Sequence, residues 1–344
     1  MRCFPTRPLW AAAVALGLAG LFAPVAWAHH WHLESATLPA PFLRDGRVDV
    51  VVEPSGVAPI GDGRRVLLAD GKSASLHVVD LATGELVGAP LSLPKFPPTT
   101  STGPKWAGMA LDSEGNYYLV DSHSGKSDEG RAESRVVVRF RLRGGEVPAI
   151  DDASVVHWEI ARPLEVALRA QRLDATRIAQ QKVGGLAIRE VGGHRQLVIG
   201  LSAQDDKVRA LAADITPTPS PGVALEFRPL FTFDAGRCEG VAARLTSLAY
   251  VPAMSGFLVL TATEDADNAF HGNTLWLVAD GETLRARPYA TFEVAMKAAG
   301  QAVLGVEASG HLTTIKLLIT YDNDPHATRI PSRFQTAKLV HPRS

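Results

Sequence analysis

The residues that could do chemistry stand where apolar runs end. Asp70 closes Val66–Asp70, Asp121 closes Tyr117–Asp121, Glu264 follows Phe257–Thr263, and Asp322 and Asp324 follow Leu317–Thr320. His123 sits in Asp121-Ser122-His123-Ser124. A neutral imidazole there could act as general base, with Asp121 orienting it if the backbone turns between them. Oxygen donors alternate in Tyr321-Asp322-Asn323-Asp324, a pattern that suits a hard cation such as Ca²⁺. Asp70, Asp121, Glu264, Asp322 and Asp324 are therefore the candidate metal ligands, and His123 and Asp121 the candidate catalytic pair. Against this, acids at strand ends commonly bond their own turn amides. Lys105 and Arg244 are candidate anion partners if they reach the same place. A glycine-rich phosphate loop, a Gly-x-Ser-x-Gly elbow and a Cys-x-x-Cys pair are all missing from the sequence.

These positions matter together only if the fold brings them to one place. A small motif, a glycine or serine among small residues followed by an apolar strand, recurs about every 50–80 residues. It appears at Ser55-Gly56-Val57, Ala107-Gly108-Met109, Gly185-Leu186-Ala187, Ser247-Leu248-Ala249 and Leu304-Gly305-Val306. Recurrence at that spacing, with Asp-Gly and Thr-Gly turn pairs between short β-branched runs, predicts an all-β propeller of five blades, alternatively six. Rotational repetition would carry the polar strand ends to a common channel mouth. One inserted helix is expected over Pro163–Leu173. Proline-rich stretches at 95–104 and 216–222 read as surface loops.

Residues 1–28 read as a secretory signal peptide. Arg2 and Arg7 precede an apolar run, and Ala26-Trp27-Ala28 forms a small-x-small cleavage site. The run is short for a membrane anchor, so residues 29–344 are expected as one exported domain, periplasmic or secreted, monomeric and without a membrane span. Cys3 would leave with the leader, so Cys238 is expected as an unpaired thiol. A new terminus at His29-His30-Trp31-His32 would carry nitrogen donors suited to Cu(II) or Ni(II), or simply fray. The full chain has a formal charge of −1, which gives no electrostatic basis for binding nucleic acid.

The chain resembles a bacterial family of exported propeller-like domains of unknown function. The resemblance rests on Tyr118-Leu119-Val120-Asp121-Ser122-His123-Ser124 with the strand Arg135–Leu142, and on Gly185-Leu186-Ala187 with Leu197–Leu201. More distantly it is similar to phytase-like and lactonase-type propellers. That likeness implies binding of a small molecule or ion at the channel mouth, with phytase-like or lactonase-like hydrolysis as an extension. The alternative is a non-catalytic scaffold that engages another exported protein. One departure is clear: where such families carry an acid before the repeated glycine, this chain has Ser55, Ala107, Gly184 and Leu304.

Overall fold

The computed structural model of the protein describes residues 31–50, 52–73, 75–93, 105–122, 136–145, 147–202, 207–216, 220, 223–265, 270–280, 286–292, 296–309, 311–323 and 328–342. Within them the chain forms five antiparallel sheets of four or more strands. Sheet one holds Pro54–Ile60, Arg65–Asp70, Leu76–Asp80 and Leu86–Leu91. Sheet two holds Trp106–Leu111, Tyr117–Asp121, Val136–Phe140 and Val156–Glu159. Sheet three runs from Lys182–Val191 through His194–Ser202 and Lys207–Asp214 to Arg228–Asp234. Sheet four runs from Val241–Val251 through Gly256–Glu264 and Phe270–Ala279 to Ala286–Phe292.

Sheet five is assembled from both ends of the described chain. Lys297–Ser309, Leu312–Asp322 and Arg333–Pro342 are completed by His32–Ala36, which pairs with Arg333–Pro342. Trp31, just ahead of that strand, is buried and packs its ring 4.9 Å from that of His341. The first strand of each sheet is innermost. These five strands touch in chain order, and the last touches the first, so the ring closes. The all-β propeller expected from the sequence is the fold of the protein.

Local chemistry explains the hairpins. Between the first two strands of sheet two, Asp112 Oδ1 accepts from the amides of Glu114 at 3.0 Å and Asn116 at 2.8 Å. Gly115 takes φ +81°, a region an L side chain rarely enters. Leu67, Val78, Leu119 and Val138 fill the space between sheets one and two. Leu258, Leu260, Leu317 and Ile319 do the same between four and five. Removal of this apolar surface from water is the main favourable contribution to folding.

Two expectations need correction. The inserted helix spans Ala161–Ala170 and is followed by a second, Ala175–Ala179. The second is started by Asp174, whose carboxylate accepts from Arg177 N at 2.8 Å, an N-cap signal that a helix ending at Leu173 overlooks. The fifth copy of the glycine motif is also misplaced. Each innermost strand carries a β-bulge in the same place, between Pro54/Gly56, Trp106/Gly108, Val183/Gly185, Leu245/Ser247 and Ala298/Gly300. Gly300, not Gly305, is the rotational equivalent of Gly56; Gly305 sits at a second bulge peculiar to that strand.

Candidate functional site

A bulge sets two residues opposite one and re-aims a side chain. Here the extra residues are Ser55, Ala107, Gly184, Thr246 and Ala299, one per sheet. All five line one cavity of about 480 Å³. Every one is small, so the ring encloses space instead of filling it.

One step further along, the strands come together. A Cβ on Gly56 would lie 2.8 Å from the carbonyl carbon of Gly108, one on Gly108 2.8 Å from Leu186 N, and one on Gly185 2.8 Å from Leu248 N. Only glycine permits backbones this close. A second, largely apolar cavity of about 320 Å³, lined by Val57, Met109, Leu186, Leu248 and Ala302 among others, lies past this pinch, towards the other end of the same strands.

The charge pattern at the bulged mouth follows from strand period. Residues two apart share a face, and two residues before the bulges stand Glu53, Lys105, Lys182, Arg244 and Lys297. Lys182, Arg244 and Lys297 line the cavity. Lys105 is exposed, and Glu53 is held by Lys72 at 2.6 Å. The adjoining strands add Glu264, Asp265 and Asp322. Glu264 pairs with Lys297 at 3.0 Å. Asp265 lies 3.2 Å from His271 Nε2, whose Nδ1 is 3.0 Å from Glu239. These two carboxylates, Asp265 first, raise the His271 pKa above its ordinary value, so its cationic form is favoured beside the mouth.

The sequence candidates divide. Glu264 and Asp322 reach the cavity, as does Arg244. Asp70 and Asp121 do not. Both are buried and pair with Pro54 and Trp106, the register position that holds Leu201, Thr261 and Tyr321 in the other sheets. Those three are buried core residues. The cavity-facing position is one residue later, as Asp322 opposite Lys297 shows, and a one-residue step turns a side chain to the other face.

Asp70 caps its own turn, accepting from Lys72 N at 2.9 Å and from Ser73 Oγ at 2.8 Å. The Asp121 carboxyl is pushed up to about 7 by desolvation, against backbone hydrogen bonds at Lys105 and Ser122 and the Lys105 charge. His123 and Asp324 lie outside the described residues, as do His29 and His30. Cys238 is buried and disulfide-bonded, with its partner outside the described residues. The unpaired thiol is the expectation for the chain that has lost Cys3 with its leader.

The described acids do not assemble a Ca²⁺ site. Among the described residues no three His, Cys, Asp or Glu groups converge for a metal, and of the three mouth carboxylates Glu264 and Asp265 already face a lysine and a histidine. What sequence reading passed over is the recurring cation itself. Lys105-Trp-Ala-Gly108, Lys182-Val-Gly-Gly185, Arg244-Leu-Thr-Ser247 and Lys297-Ala-Ala-Gly300 share one pattern, basic-x-small-Gly or Ser.

Fold and site together define a β-propeller with a polar axial cavity at the bulged ends of its inner strands. No protein-family model and no curated protein matches the sequence. Solved structures similar to it include the PQQ-bound aldose sugar dehydrogenase of Streptomyces coelicolor, 14% identical over 90% of this chain and 98% of that one, with TM-score 0.48. The calcium-binding protein regucalcin of Agrobacterium tumefaciens is 13% identical over 86% of this chain and 94% of that one, with TM-score 0.41. An exo-β-1,3-galactanase of Phanerochaete chrysosporium is 10% identical over 88% of this chain and 64% of that one, with TM-score 0.49. Among the described residues no helix is long and apolar enough to cross a membrane.

Proposed function

We propose that this protein binds a small polar molecule in the cavity at the bulged mouth. One observation carries the reading. Five separate sheets each give one small, bulge-displaced residue to the same cavity, and its volume of about 480 Å³ is that of small-molecule sites. Charged groups at its rim supply the few placed polar contacts by which such sites orient a ligand. The reading is for binding and stops short of phytase-like or lactonase-like hydrolysis, because Asp121, half of the expected catalytic pair, is buried away from this cavity. Export through a leader of residues 1–28 belongs to the same proposal on the strength of the sequence pattern.

The test is calorimetric titration of the purified protein with D-gluconate, D-glucitol, D-glucose 6-phosphate and an amino-acid set. Thr246→Phe, and Ser55→Phe on a second wall, place a ring in the cavity; both positions are half-buried, so both variants are expected to melt like the wild type. At least one compound should bind with 1:1 stoichiometry and weaken about tenfold or more in either variant. Binding by none of the compounds, or binding unchanged in both variants, contradicts the proposal and favours the scaffold alternative.

A further inference from the structure

We infer, resting on the cavity reading above, that the ligand is a small polyhydroxylated monocarboxylate whose acid group lies on Arg244. The charges at the mouth are nearly all compensated. Lys297 faces Glu264 at 3.0 Å, Asp265 faces His271 at 3.2 Å, and Lys182 and Asp322 each have an interaction of their own. Arg244 makes no hydrogen bond or ion pair among the described residues. It is half-buried, lines the cavity, and stands opposite Ala262, which offers it no polar group. A partly buried cation without a counter-charge is unfavourable until an anion arrives. A planar guanidinium presents paired donors that match the two oxygens of a carboxylate.

The rest of the lining fixes the remainder of the ligand. Glu264, Asp265 and Asp322 are acceptors. Because Glu264 and Asp265 are already charge-compensated, they call for neutral donors, which hydroxyl groups provide and an ammonium would over-supply. One uncompensated cation matches one negative charge. A phosphate monoester carries close to two.

The experiment compares D-gluconate, D-galactonate and D-glycerate with D-glucitol and D-glucose 6-phosphate, by calorimetry, on wild type, Arg244→Gln and Arg244→Lys. The wild type should bind at least one of the acids about tenfold more tightly than glucitol. Arg244→Gln should erase that preference, and Arg244→Lys should restore it only in part, because a point charge lacks the fork. Melting curves should show all three proteins folded.

Equal affinity for acid and polyol, acid binding unchanged in Arg244→Gln, or tighter binding of the phosphate ester would overturn this inference while leaving the cavity reading in place, provided Thr246→Phe still abolishes binding. If neither acids nor polyol bind the wild type, this inference falls. If acid binding is unchanged in both Thr246→Phe and Ser55→Phe, the cavity reading falls with it.

Discussion

Gly184→Ala should be the most damaging single-methyl change in the protein. A Cβ at Gly184 would stand 2.1 Å from the carbonyl oxygen of Leu245 and 2.9 Å from its carbonyl carbon. The first of these is backbone of the neighbouring inner strand, so no rotamer change relieves the contact. Sheets three and four would have to separate where the bulges bring them together. Overpacking of a close-packed interior costs about 1–3 kcal/mol and sometimes more. With no flexible partner to yield, the upper end, about 3 kcal/mol, is the expectation. In a domain of this size that corresponds to a fall in melting temperature of roughly 4–5 °C. Gly305→Ala is the matched control, because nothing lies within 4 Å of its Cβ position. Thermal denaturation of the two variants beside the wild type checks the claim, and a Gly184→Ala protein melting within a degree of Gly305→Ala would refute the close approach.

Asp121→Asn should change how stability depends on pH. The Asp121 carboxyl is pushed up to about 7 by burial, from an ordinary value of 3.8. The folded state therefore holds a proton that the unfolded chain has lost. By linkage the contribution of this group is full below about pH 4, declines as pH rises, and is gone above about pH 7. At about 1.4 kcal/mol per unit, the swing is about 4 kcal/mol. Asparagine keeps the shape without the titration. The wild type should lose stability between pH 4 and 7 relative to Asp121→Asn, and the variant should be the more stable of the two at pH 8. Chemical denaturation across that range reads both curves, and parallel curves would show that Asp121 is charged in the folded protein.

The propeller class was legible because a hairpin repeat needs only period and turn chemistry, and both are local. Gly56, Gly108 and Gly185 were legible for the same reason, although their physical role, backbone contact between neighbouring inner strands, appears only in three dimensions. Register was not legible. A bulge shifts pairing by one residue without altering composition, so Asp70 and Asp121 were grouped with Asp322 although their side chains go into the core. Gly305 was likewise chosen over Gly300, because an apolar run follows either glycine. The cations before the bulges were present in the sequence as a repeat, yet four basic residues in a chain with 35 are conspicuous only when aligned by their bulges. Arg244 and Lys105 stand out individually in the sequence. Their rotational kinship does not.

A ligand is expected at the bulged mouth, and not at the apolar mouth at the other end of the inner strands. Crystals of the protein soaked in D-gluconate test this most directly. The expected result is density for one molecule inside the ring of Ser55, Ala107, Gly184, Thr246 and Ala299, with its carboxylate on the Arg244 guanidinium. Density between Val57, Met109, Leu186 and Leu248 instead, with the bulged ring holding only solvent, would contradict it.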